Sequence, residues 1–196
     1  MRPSAVRLFE IRNMKQSSSW LHAAAVYTDP RAVVLFFLGF SAGVPIMLIF
    51  SSLSLWLSEA GVSRDMVTMF SWAALAYSFK FVWAPLIDSL PLPVLGRLGW
   101  RRSWLLLSQA AVASAIVWMA MVDPAQPGAL AMMAAAAVLL GFSSATQDVV
   151  IDAYRIEAAG DDTAMQSVTS ATYNAGYRVG MIVSGAGALY AAETLG

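Results

Sequence analysis

Charged side chains lie inside long apolar stretches of this sequence, and they are the residues most able to do chemistry. Lys80, Asp148 and Arg178 each fall within a run that is otherwise dominated by aliphatic, aromatic and small residues. A charge placed in hydrocarbon costs at least ~3 kcal/mol, so such residues face a polar interior or pair with one another. Charges of this kind are typical of pathways for ions or polar solutes, which is the chemistry that these residues predict.

The spacing of Asp148, Asp152 and Arg155 places all three on one face of a helix, because residues at i, i+4 and i+7 stack above each other. Gln147 lies one position round from that face and offers both donors and an acceptor. Lys80 lies at a depth similar to that of Asp148, counted from the ends of their runs, and we predict that these two residues pair. The alternative is that the Lys80 ammonium extends toward the lipid headgroups.

Arg178 lies deeper than the other charges, about thirteen positions or ~20 Å from either end of its run. It differs in depth from Asp148 by ~9 Å at 1.5 Å per residue, which makes it a less favourable partner for that carboxylate. Gln166, Ser170, Asn174 and Arg178 recur every four residues and form one polar stripe. The stripe predicts that Arg178 faces a solute cavity. The alternative is an ion pair that only holds two helices together.

Five apolar runs carry these residues, and each is close to the ~20 residues that a helix needs to cross a bilayer. Hydrophobic residues make up 59% and charged residues 12% of the chain, and this charged fraction is about half of the usual one in soluble domains. We therefore predict an all-α fold, a polytopic membrane helix bundle. Its predicted parts are a tail at 1–31, a bundle at 32–190 with spans at about 32–57, 66–87, 103–122, 129–151 and 165–190, and a short end at 191–196.

Most of the 12 Lys and Arg residues fall in alternate connections between the runs. Basic loops stay in the cytoplasm, so the N-terminus is predicted to be cytoplasmic and residues 191–196 to lie outside. The outer connections hold Arg64, whereas the cytoplasmic side holds Arg2, Arg7, Arg12, Lys15, Arg31, Arg97, Arg101, Arg102 and Arg155.

The composition also argues against several function classes. A formal net charge of zero provides no basic patch for phosphates, so we expect no nucleic-acid partner. Cysteine is absent and His22 is the only histidine, which leaves no thiolate or paired-histidine ligands for a metal. The spans contain no nucleophile with a histidine base, so we expect neither an enzyme nor a cofactor.

Small residues indicate where helices approach one another closely. Gly39 with Gly43, and Gly176 with Gly180, each form a small-xxx-small pair that removes side-chain bulk from one helix face. Pro45 predicts a kink in the first span, because a proline deletes one helical hydrogen bond. Ordinary helix packing and the lining of a cavity are both open interpretations of the glycine pairs.

Four segments resemble the AmpG family of muropeptide permeases, a branch of the major facilitator superfamily. They are residues 39–45 (GFSAGVP), 77–88 (YSFKFVWAPLID), 144–155 (SATQDVVIDAYR) and 176–185. In addition, Asp88, Gly99 and the pair Arg101 and Arg102 are similar to the acid, glycine and basic pair after the second helix of facilitators. The resemblance covers about residues 29–190.

The resemblance implies a proton-driven permease that imports anhydromuropeptides, sugar–peptide fragments of the cell wall, across the inner membrane of a Gram-negative bacterium. Such permeases have two six-helix halves around a central cavity. The chain corresponds to about five helices, so we interpret it as the N-terminal part of a transporter that needs its C-terminal half. Protons, the sugar–peptide and the lipid bilayer are its expected partners.

Residue pattern and resemblance together predict two groups of functional residues. A charge cluster that gates the cytoplasmic side is predicted from Asp88, Arg101, Arg102, Asp152 and Arg155. The substrate or proton pathway is predicted to include Tyr77, Lys80, Gln147, Asp148, Asn174, Arg178 and Gly43.

Two other interpretations stay open. Eukaryotic carriers of acetyl-CoA are similar to this family, so import or export of acetyl-CoA or another solute is a second transporter hypothesis. A non-transporting membrane fragment or assembly partner is the third, and the shortness of the chain favours it.

Overall fold

The computed structural model describes residues 24–70, 72, 75–92, 99–123 and 126–195. The fold is 87% helical, with no strand in the described residues, which confirms the predicted all-α class. Most of the predicted tail, at 1–23, lies outside the described residues, as do Arg97 and Gly196. The helices are α1 (Pro30–Glu59), α2 (Arg64–Phe70), α3 (Leu75–Phe79), α4 (Ala84–Ser89), α5 (Trp100–Ala120), α6 (Ala129–Ala159) and α7 (Thr163–Leu195).

Three of the described helices, α1, α5 and α6, are long and apolar enough to cross a membrane. The 31 residues of α6 extend ~46 Å at 1.5 Å per residue, which exceeds the ~30 Å hydrocarbon core. The 33-residue helix α7 is longer still but carries the polar stripe and is not among these three. A membrane helix bundle is thus confirmed as the fold, while the number of five spans stays a prediction.

The second apolar run does not form one continuous helix in the described residues. α3 ends at Phe79, a short 3-10 turn follows at Lys80–Val82, and α4 begins at Ala84. Pro85 lies in the first turn of α4, where its missing N–H is tolerated, whereas in mid-helix its ring would clash with the preceding turn. The predicted span 66–87 is therefore interrupted at the proline, and Lys80 opens the interruption.

The two glycine pairs pack against each other at the contact between α1 and α7, as close helix approach predicts. A Cβ atom on Gly39 or Gly43 would overlap a main-chain carbonyl oxygen of α7, at Tyr173 and Tyr177 respectively. Gly176 and Gly180 face the carbonyl oxygens of Phe36 and Phe40 in the same way. The backbones of α1 and α7 touch along this line, which only glycine permits.

α1 departs from regular α-helical geometry after its proline. A π-helical turn occupies Leu48–Leu53, three residues beyond Pro45, and the α-helix resumes at Ser54. A π-turn is a recognised cause of helix bending and is frequent at functional sites. The π-turn lies one turn further along the helix than Pro45, and the kink predicted at the proline stays a prediction.

The larger of two apolar clusters in the described residues joins α1, α5 and α6, toward the end of α6 opposite Asp148 and Asp152. Leu53 and Leu57 of α1 belong to one buried cluster with Met133 and Leu140 of α6, and Val112 and other residues of α5 complete it. A smaller cluster around Leu35, Ala42 and Ile151 lies between α1 and α6 nearer their other ends. These two clusters set the rotation of α6 and so determine which of its side chains can meet the second apolar run.

Candidate functional site

Lys80 lies between two carboxylates of α6. Its Nζ atom is 3.7 Å from Asp148 Oδ2 and 3.6 Å from Asp152 Oδ2. One helical turn separates the two aspartates, so both project from the same face, and the break between α3 and α4 brings the lysine against that face. The predicted pairing of Lys80 with Asp148 is confirmed, and Asp152 shares the same ammonium.

The two aspartates have different environments and different second partners. The Asp148 side chain is 12% exposed and accepts a hydrogen bond of 3.1 Å from the Tyr173 hydroxyl of α7. The Asp152 side chain is 45% exposed and pairs with Arg155 at 3.4 Å on its own helix. Because removing a charge from water is costly, Asp148 depends more strongly on its protein partners than Asp152 does.

Arg155 connects this charged group to the last helix. Its Nη1 donates to Ser170 Oγ at 3.1 Å, and its guanidinium lies 5.9 Å from the centre of the Tyr173 ring. We use the name charged centre for Lys80, Asp148, Asp152 and Arg155 together. The two positive and two negative formal charges of this centre balance. Such pairing lowers the cost of placing partly desolvated charges among helices long enough to cross a membrane.

Neutral polar residues extend the site along α6. The Tyr77 hydroxyl hydrogen-bonds Ser144 Oγ, and Gln147 Nε2 donates to Ser41 Oγ of α1 at 3.1 Å. Gln147 is fully buried, and its Oε1 atom has no hydrogen-bond partner among the described residues. A buried amide oxygen without a hydrogen-bond partner has a strong tendency to accept a hydrogen bond from a small polar group.

The predicted cytoplasmic gate divides into two separate networks. Arg101 forms an ion pair with Asp88 and donates from Nε to Glu157 Oε1 at 2.9 Å. Asp152 and Arg155 belong instead to the charged centre. The physical reason is the helical turn: Glu157 is five positions after Asp152 on α6, which places it ~140° round the helix at 100° per residue.

Arg102 is exposed and forms no ion pair among the described residues, although it was predicted to belong to the gate together with Arg101. Adjacent residues of a helix point ~100° apart, so one basic residue of the pair reaches the acidic partners and the other does not. This division of the basic pair makes a matched experiment possible.

Replacing Arg101 by glutamine is expected to lower the free energy of unfolding by about 1–2 kcal/mol, because two half-exposed acids lose their common partner. The Arg102→Gln variant serves as the control, with an expected change below ~0.5 kcal/mol for an exposed side chain. The measurement is loss of helical circular dichroism during titration with a denaturing detergent. Equal effects of the two variants would contradict the assigned network.

Asn174 and Arg178 lie apart from the charged centre, on the surface of α7. Both are exposed, and Arg178 has no acidic partner among the described residues. Arg178 is two positions from both Gly176 and Gly180, so it points ~200° away from the glycine face that contacts α1. The described helices do not enclose Arg178 as the stripe predicts, since close packing on the glycines turns it outward.

Other members of the predicted pathway have packing or capping contacts. Gly43 is buried against the main chain of Tyr177. In the stripe, Gln166 donates to the Gly160 carbonyl at 2.8 Å, and Asn174 donates to the Ser170 carbonyl at 2.9 Å. The structure thus brings Tyr77 of α3 and Lys80 of the following 3-10 turn close to the stretch of α6 that carries Gln147 and Asp148. Arg178 lies apart from these residues.

Sequence reasoning missed three participants: Tyr173, Ser41 and Glu157. Tyr173 and Tyr177 are four residues apart and their rings lie 6.1 Å apart, a spacing that was visible in the sequence. Nothing in the sequence, however, indicates which of the two meets Asp148. Glu157 lies in the last turns of α6, and its bond to Arg101 depends on how α5 and α6 pack.

Within the described parts of the chain, no group of three or more histidine, cysteine, aspartate or glutamate side chains could hold a metal ion. The charged centre itself offers charges and groups that can carry protons. One ammonium balanced between two carboxylates can move toward either when the other is protonated or bound.

Comparison with known proteins gives a consistent group of relatives. A family model described as acetyl-coenzyme A transporter 1 matches residues 31–125. The chain is 41% identical over 171 residues to "Putative transporter AmpG 4" of Rickettsia conorii, covering 87% of this chain and 40% of that protein. It is 36% identical over 168 residues to "Anhydromuropeptide permease" of Escherichia coli K12, covering 86% of this chain and 33% of that protein.

A third relative, "Putative transporter AmpG 3" of Rickettsia prowazekii, is 36% identical over 172 residues. The chain spans well under half the length of these relatives, 33% to 40%. The relatives are named as transporters or permeases rather than as enzymes. The chain is therefore similar over most of its own length to AmpG-named transporters and permeases, and the resemblance that its motifs predict is confirmed.

Proposed function

We propose that this chain forms part of a proton-coupled permease that imports anhydromuropeptides. The observation that carries the proposal is the position of Lys80 between Asp148 and Asp152. A proton on Asp148 removes one of the two negative charges that hold the ammonium, which leaves Asp152 as its remaining partner. Protonation and the position of Lys80 are coupled in this way, as a proton-driven carrier requires.

The fully buried Gln147 and the neighbouring Tyr77–Ser144 pair supply neutral hydrogen-bonding groups on the same stretch of α6. Such groups suit the hydroxyl and amide functions of a sugar–peptide, which need donors and acceptors rather than a net charge. The similarity to a relative named as an anhydromuropeptide permease supports this choice of solute. The relatives are more than twice as long as the chain, so the proposed activity belongs to the whole transporter.

We place the protein in the inner membrane of a Gram-negative bacterium, with multiple spans and a cytoplasmic N-terminus. The concentration of Lys and Arg in alternate connections supports this orientation. In it, the Asp88–Arg101–Glu157 network lies at the cytoplasmic ends of α4, α5 and α6. There it acts as a gate whose ion pairs hold one conformation of the transporter.

The proposal is tested by uptake into proteoliposomes that contain the protein and carry an imposed proton gradient. Labelled anhydromuropeptide is expected to accumulate when the pH is lower outside, and to cease accumulating when an ionophore removes the gradient. Labelled acetyl-CoA is the comparison solute, because the matching family model carries that description. Saturable entry of acetyl-CoA without entry of the muropeptide would overturn the proposed substrate.

Arg178 is proposed to contribute to the pathway from the side of α7 that points away from α1. Replacing Arg178 by alanine is expected to abolish muropeptide uptake while leaving the protein in the membrane. An unpaired cation deep in a membrane span is costly in hydrocarbon, so we expect Arg178 to face a polar pathway. Arg64→Ala, at the first residue of α2, is the matched control and is expected to keep full uptake. Normal uptake by the Arg178 variant would remove Arg178 from the pathway.

A further inference from the structure

Asp148 presents its two carboxylate oxygens to two different kinds of group. Oδ2 lies 3.7 Å from the Lys80 ammonium, whereas Oδ1 accepts a hydrogen bond of 3.1 Å from the Tyr173 hydroxyl. An ammonium carries three donors and no acceptor, while a tyrosine hydroxyl can both donate and accept. The two sides of this carboxylate are therefore not equivalent for a proton.

This difference decides which oxygen of Asp148 accommodates a proton. A protonated carboxyl group has one O–H donor, which needs an acceptor where the side chain is largely buried. On Oδ2 that O–H would point at the donors of Lys80 and stay unsatisfied. On Oδ1 it can donate to the Tyr173 oxygen once the tyrosine O–H turns about its C–O bond, a rotation that hydroxyl groups make readily.

Three contacts hold the Tyr173 side chain at this carboxylate. The main-chain carbonyl oxygen of Tyr173 packs against Gly39 of α1. The ring packs against the smaller apolar cluster between α1 and α6, and the Arg155 guanidinium lies 5.9 Å from the centre of the ring. The Tyr173 oxygen therefore stays beside Asp148 while its proton turns.

We propose that Tyr173 is the positioning residue for the proton on Asp148. The proton binds at Oδ1, and the Tyr173 hydroxyl reverses from hydrogen-bond donor to acceptor while keeping its own proton, which turns away from Asp148. The reversal rests on the proposed function, in which Asp148 takes up the proton. It carries the protonation of α6 to α7, and α7 packs main chain to main chain against α1.

Tyr177 provides a matched control for Tyr173. It lies one turn further along α7, and its ring packs against the same apolar cluster. Its main-chain carbonyl oxygen faces Gly43 as that of Tyr173 faces Gly39. The Tyr177 hydroxyl, however, forms no hydrogen bond with any residue that the structure describes. The two tyrosines thus share their packing and differ in the bond to Asp148.

Several titratable groups surround Asp148, so the test has to identify its proton among theirs. The groups that interact with its charge are Lys80 in the 3-10 turn, Tyr77 in α3, Asp152 in α6, and Tyr173 and Tyr177 in α7. Arg155 pairs with Asp152. Infrared difference spectra of the chain in lipid vesicles, recorded between neutral and acidic pH, separate these groups when combined with substitutions. Asp148→Asn identifies the carboxylic acid C=O band of Asp148 by removing it.

The C–O stretching band of a tyrosine differs between a hydroxyl that donates and one that accepts a hydrogen bond. We expect this band to change together with the acid band of Asp148. Tyr173→Phe is expected to abolish the tyrosine change and to move the acid band to higher frequency, because the acid O–H loses its acceptor. Tyr177→Phe is expected to keep both the tyrosine change and the position of the acid band.

An Asp148 acid band without a tyrosine change, or equal effects of the Tyr173 and Tyr177 variants, would overturn the reversal and leave the proposed function in place. Absence of an acid band from Asp148 would overturn the proposed proton site and the reversal together. Helical circular dichroism reports whether each variant folds. Asp148→Asn is also expected to abolish the tyrosine change, which keeps the test decisive if Tyr173→Phe disturbs folding.

Discussion

Replacing Gly176 by alanine is expected to force apart α1 and α7. A Cβ atom at this position overlaps the carbonyl oxygen of Phe36, which is main chain and has no rotamer by which to move away. Overpacking costs ~1–3 kcal/mol where side chains can adjust, and we expect the upper end of that range here. The measurement is the free energy of unfolding in a denaturing-detergent titration, followed by helical circular dichroism.

Gly187→Ala is the matched control on the same helix. A Cβ at Gly187 meets no atom within 4 Å, and alanine favours a helix over glycine by ~1 kcal/mol. The control is therefore expected to leave stability unchanged or to raise it slightly. The same glycine-to-alanine change is thus expected to lower stability at Gly176 and not to lower it at Gly187, eleven residues away. Similar destabilisation by both substitutions would show that the glycine contact does not hold the two helices together.

Replacing Lys80 by methionine is expected to stop proton-coupled uptake and to destabilise the protein. Within the described part of the chain, Asp148 then keeps only the Tyr173 hydroxyl as a partner, and its side chain is 12% exposed. Breaking a fully buried ion pair costs ~3–5 kcal/mol. Because a third of the Lys80 side chain is exposed, we expect ~1–2 kcal/mol here. Detergent-titration unfolding and proteoliposome uptake measure the two effects separately.

The double variant Lys80→Met with Asp148→Asn separates stability from function. Removing both charges leaves no unpaired carboxylate at this position, so stability is expected to return to within ~1 kcal/mol of the original protein. Uptake is expected to stay absent, because neither the cation nor the proton acceptor remains. A double variant that is as unstable as the sum of the two single variants would show that the residues do not interact.

Much of the charged centre was predictable because helical geometry is regular. The rise of 1.5 Å per residue placed Lys80 and Asp148 at one depth, and the four-residue interval put Asp148 and Asp152 on one face. The structure confirms that these groups meet, at 3.7 Å and 3.6 Å. The interruption of the second run before Pro85 also follows from local chemistry, although the apolar pattern by itself predicts an unbroken span to residue 87.

The participation of Tyr173 and Glu157 followed from contacts between helices that are distant in sequence. Tyr173 reaches Asp148 across 25 residues, and Arg101 reaches Glu157 across 56. Each contact depends on the rotation of one helix about its axis relative to another. An error of one residue in the predicted rotation of a helix turns a side chain by ~100°. A periodic pattern that is correct within one helix therefore does not indicate which residue of the neighbouring helix a side chain contacts.

The order of residues alone determined the all-α class, the apolar character of the bundle and the faces of its helices, since these depend on composition and on periods within one segment. Tertiary structure decided which faces meet. The glycines of α1 and α7 let two backbones touch, and that contact turned Arg178 away from the described bundle while bringing Tyr173 toward Asp148. Packing of small residues, rather than attraction between charges, sets where the charges of α7 point.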